Sequence, residues 1–305
     1  MILERNKSYK GDCIELMKLL PDESVDVICT DPPYLYLKNQ KLDRPFDESE
    51  YFKQVKRILK RDGFIILFGR GTSFYRWNTI LADMGFTFKE EIVWDKQYVT
   101  SPALKLSRTH ETVSIHTRGN GTINKVKVPY LEMKGHDIES ICGDVRRLAS
   151  ILGNQKDLLS VQQYLIDGNP YRDNVIRQKE SVTIAANSTR KVNVSCMVMQ
   201  MFKDGQVEKS IIRCPYDRYV RHHPTQKPVR LIERLLALVC KVEPNKPKPL
   251  VLDTFRGSAS TDIACINFGV DCISFEIDDE YFEKGEDRKA EHRKNLQPDL
   301  FKVAL

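Results

Sequence analysis

Residues 24–34, SVDVICTDPPY, read as a buried strand running into a rigid turn. The apolar run VDVIC has the length of a core strand, and two consecutive prolines stop it from continuing. Outward from this stretch, strands and helices alternate. SEYFKQVKRILK (49–60) has the spacing of an amphipathic helix that stops near Gly63, and FIILFG (64–69) is a second apolar strand. TSFYRWNTILADMG (72–85) reads as a helix, followed by strands around FTFKEEIVW (86–94) and ETVSIHT (111–117). The rhythm resumes later with helix PVRLIERLLALVCK (228–241), strand LVLDTF (250–255), helix STDIACINFG (260–269), strand VDCISFEID (270–278) and a charged terminal helix. Strands separated by helices of this length predict an α/β fold with a doubly wound, mainly parallel sheet.

Between about 119 and 221 the alternation disappears. A helical-looking stretch (137–166) is followed by a polar, β-branched one (181–202). The chain has 305 residues and a formal net charge of +6, and that excess is local. Residues 101–230 carry 21 basic and 12 acidic side chains, whereas 1–100 carry 16 of each and 231–305 carry 11 and 14. A basic insert in a slightly acidic body suits a polyanionic partner. The predicted organisation is 1–118 and 222–305 as halves of one domain, with 119–221 inserted between them. There is no internal repeat and no low-complexity tract. No apolar run approaches a membrane span and MILERNKSYKGD has no signal-peptide core, so a cytoplasmic protein is expected. The eight cysteines form no C-x-x-C pair, which disfavours a zinc site or a disulfide framework and predicts reduced, buried thiols and no metal.

In open α/β sheets ligands bind beyond the carboxyl ends of the strands. Three strand ends are acidic: Asp31, Asp253 and Glu276. The last two bracket the loop FRGSAST (255–261), and Glu276 lies 19 positions after Gly257, near the spacing at which an acid meets a ribose hydroxyl. The loop is not G-x-G-x-x-G, and no phosphate-binding G-x-x-x-x-G-K-[ST] occurs, so the ligand expected is ribose-bearing without a pyrophosphate. DPPY (31–34) is the sharper signal; average composition gives it in about one chain in a thousand of this length. An exocyclic base amine is a poor nucleophile because its lone pair is delocalised into the ring. Asp31 and the Pro32 carbonyl would accept its two hydrogens, Tyr34 would stack on the base, and Pro33 would keep the turn from reorganising.

With these motifs in this order, the sequence resembles the beta class of S-adenosylmethionine-dependent DNA amino-methyltransferases. The resemblance covers roughly 1–118 and 222–292. It rests on GDC (11–13) before DPPY, VKRILKRDGFIILFG, GFTFKEEIVWDK, RTHETVSIHTRG, HPTQKPVRLIERLL (223–236), LDTFRGSAST (252–261) and FEIDDEY (275–281). It implies a Rossmann-like methyltransferase fold in permuted order, with 119–221 as the target-recognition region. It further implies Asp31, Pro32, Pro33 and Tyr34 as the catalytic turn. Phe255, Gly257 and Ser258 would shape the cofactor loop beside Asp253. Glu276 would hold the ribose, and Asp12 and Cys13 would line the adenine edge. Thr225 and Lys227 would hold the methionine carboxylate, although Asp12 and Thr225 also stand where they would cap helices at 14–20 and 228–241.

The implied reaction is direct in-line transfer of the methyl to the 6-amino group of an adenine flipped from double-stranded DNA. Asp at position 31, not Ser, favours adenine by resemblance; N4-cytosine methylation is the alternative. Candidate DNA contacts in the insert are Arg146, Arg147, Arg172, Arg177, Arg190, Lys191, Arg218 and Arg221. The resemblance leaves a homodimer and a separate restriction endonuclease open as partners, and a bacterial or phage source. The loop departs from the family pattern F-x-G-S-G-T at Ala259, where a methyl group demands a negative φ or costs strain. A DNA-binding protein whose methyltransferase body has lapsed is the non-enzymatic alternative that this departure raises.

Overall fold

The structure, a computed structural model, describes residues 3–34, 43–97, 105–135, 137, 140, 143–144, 147, 201, 204–215 and 226–296. It divides into two compact units, 1–124 with 209–305, and 125–208. In the first unit the chain forms β1 (Lys7–Lys10), α1 (Cys13–Met17), β2 (Val25–Thr30), α2 (Glu48–Ile58), β3 (Leu59–Gly69), α3 (Gly71–Asp83), β4 (Thr87–Asp95) and β5 (His110–Thr117). The second unit contains β6 (Lys127–Val128), α4 (Tyr130–Lys134) and β7 (Gln206–Val207). The first unit then continues with β8 (Ile211–Arg213), α5 (Val229–Val239), β9 (Leu250–Asp253), α6 (Ser260–Phe268), β10 (Asp271–Glu276) and α7 (Asp279–Leu296).

Eight strands form one sheet in the order β1-β10-β9-β2-β3-β5-β4-β8. The first five are mutually parallel, β5 is antiparallel to both β3 and β4, and β8 is parallel to β4. The predicted mainly parallel α/β sheet is therefore present. Alternate strand residues serve opposite faces. Ile28, Ile65, Leu67, Leu252, Ile273 and Phe275 join Met17, Tyr51, Phe52, Val55, Ile58, Trp77 and Leu81 from α1, α2 and α3 in one core. Toward α6, the opposite-facing Ser274 donates through Oγ to Asp262 at 2.9 Å. Burial of both faces is why these strands read as continuous apolar runs.

Helix α2 starts where Asp47 accepts from the Glu50 N–H at 2.9 Å, and it buries Tyr51, Phe52, Val55 and Ile58 along one stripe. Gly63 does not stop this helix as expected. The helix ends at Ile58 and β3 begins at once, with Gly63 inside it beside a register shift against β2. Glycine is required there because a Cβ would lie 2.9 Å from the Asp26 carbonyl oxygen. Strand β1 was not anticipated. Its sequence, KSYK, has no apolar run, and what makes it a strand is pairing with β10 at the sheet edge.

In the second unit β6 and β7 form an antiparallel ribbon. Asp144 accepts from Tyr130, pairs with Lys134 at 2.8 Å and with Arg147 at 3.0 Å. The helix expected over 137–166 and the β-branched stretch 181–202 fall, but for isolated positions, outside the described residues. Among the described residues no helix is long and apolar enough to cross a membrane.

Candidate active site

From β2 the chain crosses through α2 to β3 on one side; from β9 it crosses through α6 to β10 on the other. Strands β2 and β9 are neighbours. The direction of winding therefore reverses between them, and such a reversal opens a crevice beyond the strand carboxyl ends. A cavity of about 260 Å³ lies there, lined by Gly11, Asp12, Cys13, residues 29–34 and 43–46, Phe68, Glu111, Lys227, residues 253–258 and 275–278, among others. Thr30 and Thr254, at the ends of the two strands, share a hydroxyl hydrogen bond of 2.8 Å, and Tyr51 bonds Thr254 at 2.8 Å.

The carboxylates predicted at three strand ends all reach this cavity. Glu276 divides its oxygens: Oε2 accepts from the Gly257 N–H at 2.8 Å and Oε1 from the Asp278 N–H at 2.9 Å. The Ile277 backbone adds a third hydrogen bond, and the carboxylate, with about four acceptor sites, retains capacity for a further donor. Asp253 Oδ1 accepts from the Phe255 N–H at 3.1 Å, and burial pushes this carboxyl up to about 7. Asp12 caps α1, its Oδ1 accepting from Ile14 at 2.9 Å and Glu15 at 3.1 Å. The adjacent Cys13 thiol is buried, and that burial pushes it up to about 12, so it lines the cavity as an uncharged group.

Between Asp253 and Glu276, the 255–261 loop is held on several sides. The Arg256 N–H donates to the Phe275 carbonyl at 2.9 Å. Its guanidinium, wholly buried, reaches Asp262 at 3.1 Å, the Phe282 carbonyl at 3.1 Å and Glu286 at 2.5 Å. Arg288 donates to the Ser258 carbonyl at 2.7 Å, and Ser260 Oγ donates to the Lys227 carbonyl at 2.7 Å. Ala259 adopts φ 62°, ψ 29° and is fully buried, so of the two outcomes expected for its methyl group the strained one is observed.

The DPPY turn, 31–34, follows β2. Tyr34 donates its hydroxyl to Asp31 Oδ1 at 2.5 Å, and its carbonyl accepts from Ser73 Oγ at 2.7 Å. The Tyr34 ring lies 6.2 Å from that of Trp77. Lys227 is not a surface side chain: it is 8% exposed, its ammonium pairs with Asp31 Oδ2, and it sits 3.4 Å from Glu111 Oε2. Lys96 in turn holds Glu111 Oε1 at 2.6 Å. Burial raises the Asp31 carboxyl, against the pull of Lys227 and Tyr34. The Glu111 carboxyl is lowered: burial opposes ionisation, but Lys227 and Lys96 together outweigh it.

Asp31, Pro32, Pro33, Tyr34, Asp12, Cys13, Lys227, Asp253, Phe255, Gly257, Ser258 and Glu276 thus line one cavity. Thr225 lies outside the described residues, as do Arg146, Arg172, Arg177, Arg190, Lys191, Arg218 and Arg221. Arg147 is exposed and paired with Asp144. Sequence reasoning missed Glu111 and Lys96. Glu111 is the second residue of β5, and because β5 is antiparallel to β3 its first residues lie at the cavity end of the sheet. Strand direction was the absent signal. Six cysteines among the described residues, 13, 29, 214, 240, 265 and 272, are buried thiols outside any disulfide.

A family model described as DNA methylase, N6_N4_Mtase, matches residues 25–287. The type II methyltransferase M.HinfI of Haemophilus influenzae is 25% identical over 317 residues, covering 95% of this chain and 70% of that protein. Among solved structures, PvuII DNA methyltransferase, named as cytosine-N4-specific, aligns with TM-score 0.56 and 15% identity over 94% of this chain and 87% of that one. M1.HpyAVI, solved as a complex with SAM, aligns with TM-score 0.50 and 18% identity over 92% of this chain and 98% of that one. At these identities the two structures establish a shared fold.

Proposed function

The chain belongs to the N6/N4 family of DNA methylases, and from that premise we propose that it methylates the 6-amino group of an adenine flipped out of duplex DNA. S-adenosylmethionine, when bound, supplies an electrophilic methyl group on its sulfonium. The donor set fits this cofactor. Glu276, a carboxylate acceptor at the end of β10, suits a ribose hydroxyl, and Asp12 with the uncharged Cys13 suits an adenine edge. Phe255, Gly257 and Ser258 form the loop against which the cofactor lies. Resemblance assigns Thr225 and Lys227 to the methionine carboxylate; the Lys227 ammonium is engaged by Asp31 and Glu111, and its role is argued below.

At the other end of the cavity, Asp31 and the Pro32 carbonyl accept the two amino hydrogens and turn the nitrogen lone pair outward. Tyr34 stacks on the base, its carbonyl pinned by Ser73. The observation that carries the reading is that Asp31 and the Glu276–Gly257 loop end adjacent parts of one sheet and line one cavity, so a base amine and a cofactor would meet there. Asp at position 31, where resemblance associates Ser with cytosine, supports adenine.

The test is transfer of labelled methyl to unmethylated DNA, followed by digestion and nucleoside analysis. Label is expected in N6-methyldeoxyadenosine. Label in N4-methyldeoxycytidine would overturn the base assignment, and label in RNA or nowhere would overturn the function.

A further inference from the structure

The reaction proposed above needs Asp31 to accept an amino hydrogen, and each of its oxygens already has a donor beside it. Oδ1 takes the Tyr34 hydroxyl at 2.5 Å and Oδ2 takes the Lys227 ammonium. A neutral amine competes poorly with an ammonium for a carboxylate. A cation at that position would also oppose the positive charge that grows on the amine nitrogen as it accepts a methyl group. Each oxygen retains acceptor capacity, so it is the position and charge of the ammonium that favour Lys227 leaving Oδ2 for catalysis. It is buried, its ammonium packed 5.3 Å from the centre of the Phe68 ring, and its carbonyl is fixed by Ser260, so solvent is not its destination. Another anion adjoins it: Glu111 Oε2, 3.4 Å away, is buried and has no hydrogen-bond partner among the described residues. Lys96 holds the other oxygen of Glu111, so this second seat is fixed in place.

We propose that Lys227 is a positioning residue with two seats, resting on Asp31 and moving to Glu111 when the target amine enters, so that the amine inherits Asp31 Oδ2. This rests on the adenine-methylation reading, since it assumes that an amine binds Asp31. The exchange keeps every buried charge paired. Lys96, Glu111, Lys227 and Asp31 sum to zero before and after, so the move is an exchange of partners and not the desolvation of a bare ion. Ser260 also links the backbone of Lys227 to the cofactor loop, which places the shuttling side chain under the influence of cofactor binding.

Glu111→Gln removes the second seat at nearly constant volume. Single-turnover methyl transfer is expected to fall on the order of 10²-fold, the loss typical of one misplaced catalytic contact, with cofactor affinity by calorimetry within about threefold of wild type. Glu111→Asp, which keeps the anion, should recover at least about tenfold of that loss, a rescue that packing alone would not give. A readout without turnover is the carboxyl ¹³C shift of Asp31 in the free protein. Asp31 is faced by Lys227, Tyr34, Glu111 and Asp253. Removing the Glu111 anion leaves Lys227 wholly to Asp31, and the Asp31 titration should move to lower pH.

A rate within threefold of wild type for Glu111→Gln, an unmoved Asp31 titration, or a parallel loss of cofactor binding would each overturn the proposal. Should Glu111→Gln not fold, Lys96→Met with Glu111→Gln removes the buried pair together and carries the same expectations. If wild-type protein transfers no methyl to adenine while the Asp31 titration still moves in Glu111→Gln, the fault lies in the functional reading and not in the two seats.

Discussion

At the scale of single residues, Asp31 and Ala259 invite opposite expectations. Asp31→Ala removes the acceptor and leaves Lys227 to share Glu111 with Lys96, so the cluster keeps one carboxylate but gains one net positive charge. Methyl transfer should fall by at least about 10²–10³-fold, while cofactor affinity stays within a few-fold by calorimetry. Transfer persisting near the wild-type rate would remove Asp31 from the mechanism. Ala259 stands in the left-handed region with φ 62°. Replacing it by glycine relieves about 1–2 kcal/mol of strain. Against that stand the extra chain entropy of glycine, about 0.5–1 kcal/mol, and the lost burial of a methyl group, about 0.8 kcal/mol. The effects nearly cancel, so Ala259→Gly should change stability by less than about 1 kcal/mol. Ala259→Val, β-branched at positive φ, should cost more than about 2 kcal/mol. Urea denaturation of the two variants checks this, and equal effects would show that backbone strain is not what limits the position. The residues that line the cavity were legible wherever they end a parallel strand or sit in a motif. Glu111 was not, because nothing in ETVSIHT says which way that strand runs.

At the scale of elements, the cofactor loop owes its shape to what surrounds it. Arg256, an oddity in the motif, ties α6 to α7 through Asp262, Glu286 and the Phe282 carbonyl, with its side chain wholly buried. Gly285 in α7 makes room for it, since a Cβ there would lie 2.7 Å from the guanidinium. Arg256→Met takes the nearest cation from the buried Asp262 carboxylate and should cost roughly 3–5 kcal/mol. A loss under about 1 kcal/mol in a denaturant melt would refute the latch. A second tie joins α3 to β5, where the His116 ring, buried and held near a pKa of about 4 by that burial, bonds Asn78 Oδ1 at 2.7 Å. The unfolded ring takes a proton below about 6.5, the folded one only below about 4. Between those values the unfolded state binds more protons, so this group makes stability fall as pH drops from 6.5 to 4. His116→Gln should flatten that acid limb; an unchanged slope between pH 6.5 and 4.5 would mean that His116 is not its source. The alternation of β2, α2 and β3, and of β9, α6 and β10, was readable from apolar runs and helical spacing. The strands β1 and β8, four and three residues long, were not, because pairing with neighbours makes them strands and their own composition does not.

At the scale of the whole molecule, charge and fold divide the work. The α/β unit builds the reacting cavity from a sheet whose flanking segments, 1–100 and 231–305, are balanced or slightly acidic, and the basic excess falls within 101–230. A duplex carries its charge on phosphates, and each lysine or arginine that neutralises one releases a counterion. If the insert is the DNA-facing part, binding should weaken linearly in log salt, by a slope of about 0.9 per phosphate contacted. Replacing Arg172 and Arg177 by alanine, two contacts at most, should then lower the slope by about 1–2. Affinity would drop uniformly across DNA sequences, as backbone contacts do, and cofactor affinity would not move, because the residues proposed to hold the cofactor lie in the other unit. Fluorescence anisotropy with a labelled duplex at several salt concentrations measures the slope, and calorimetry the cofactor. A slope unchanged by the double substitution would remove these two arginines from the interface. An unchanged slope after replacing Arg190, Lys191, Arg218 and Arg221 as well would move the DNA-facing surface off the insert, and the placement of the net charge would then report solvation alone.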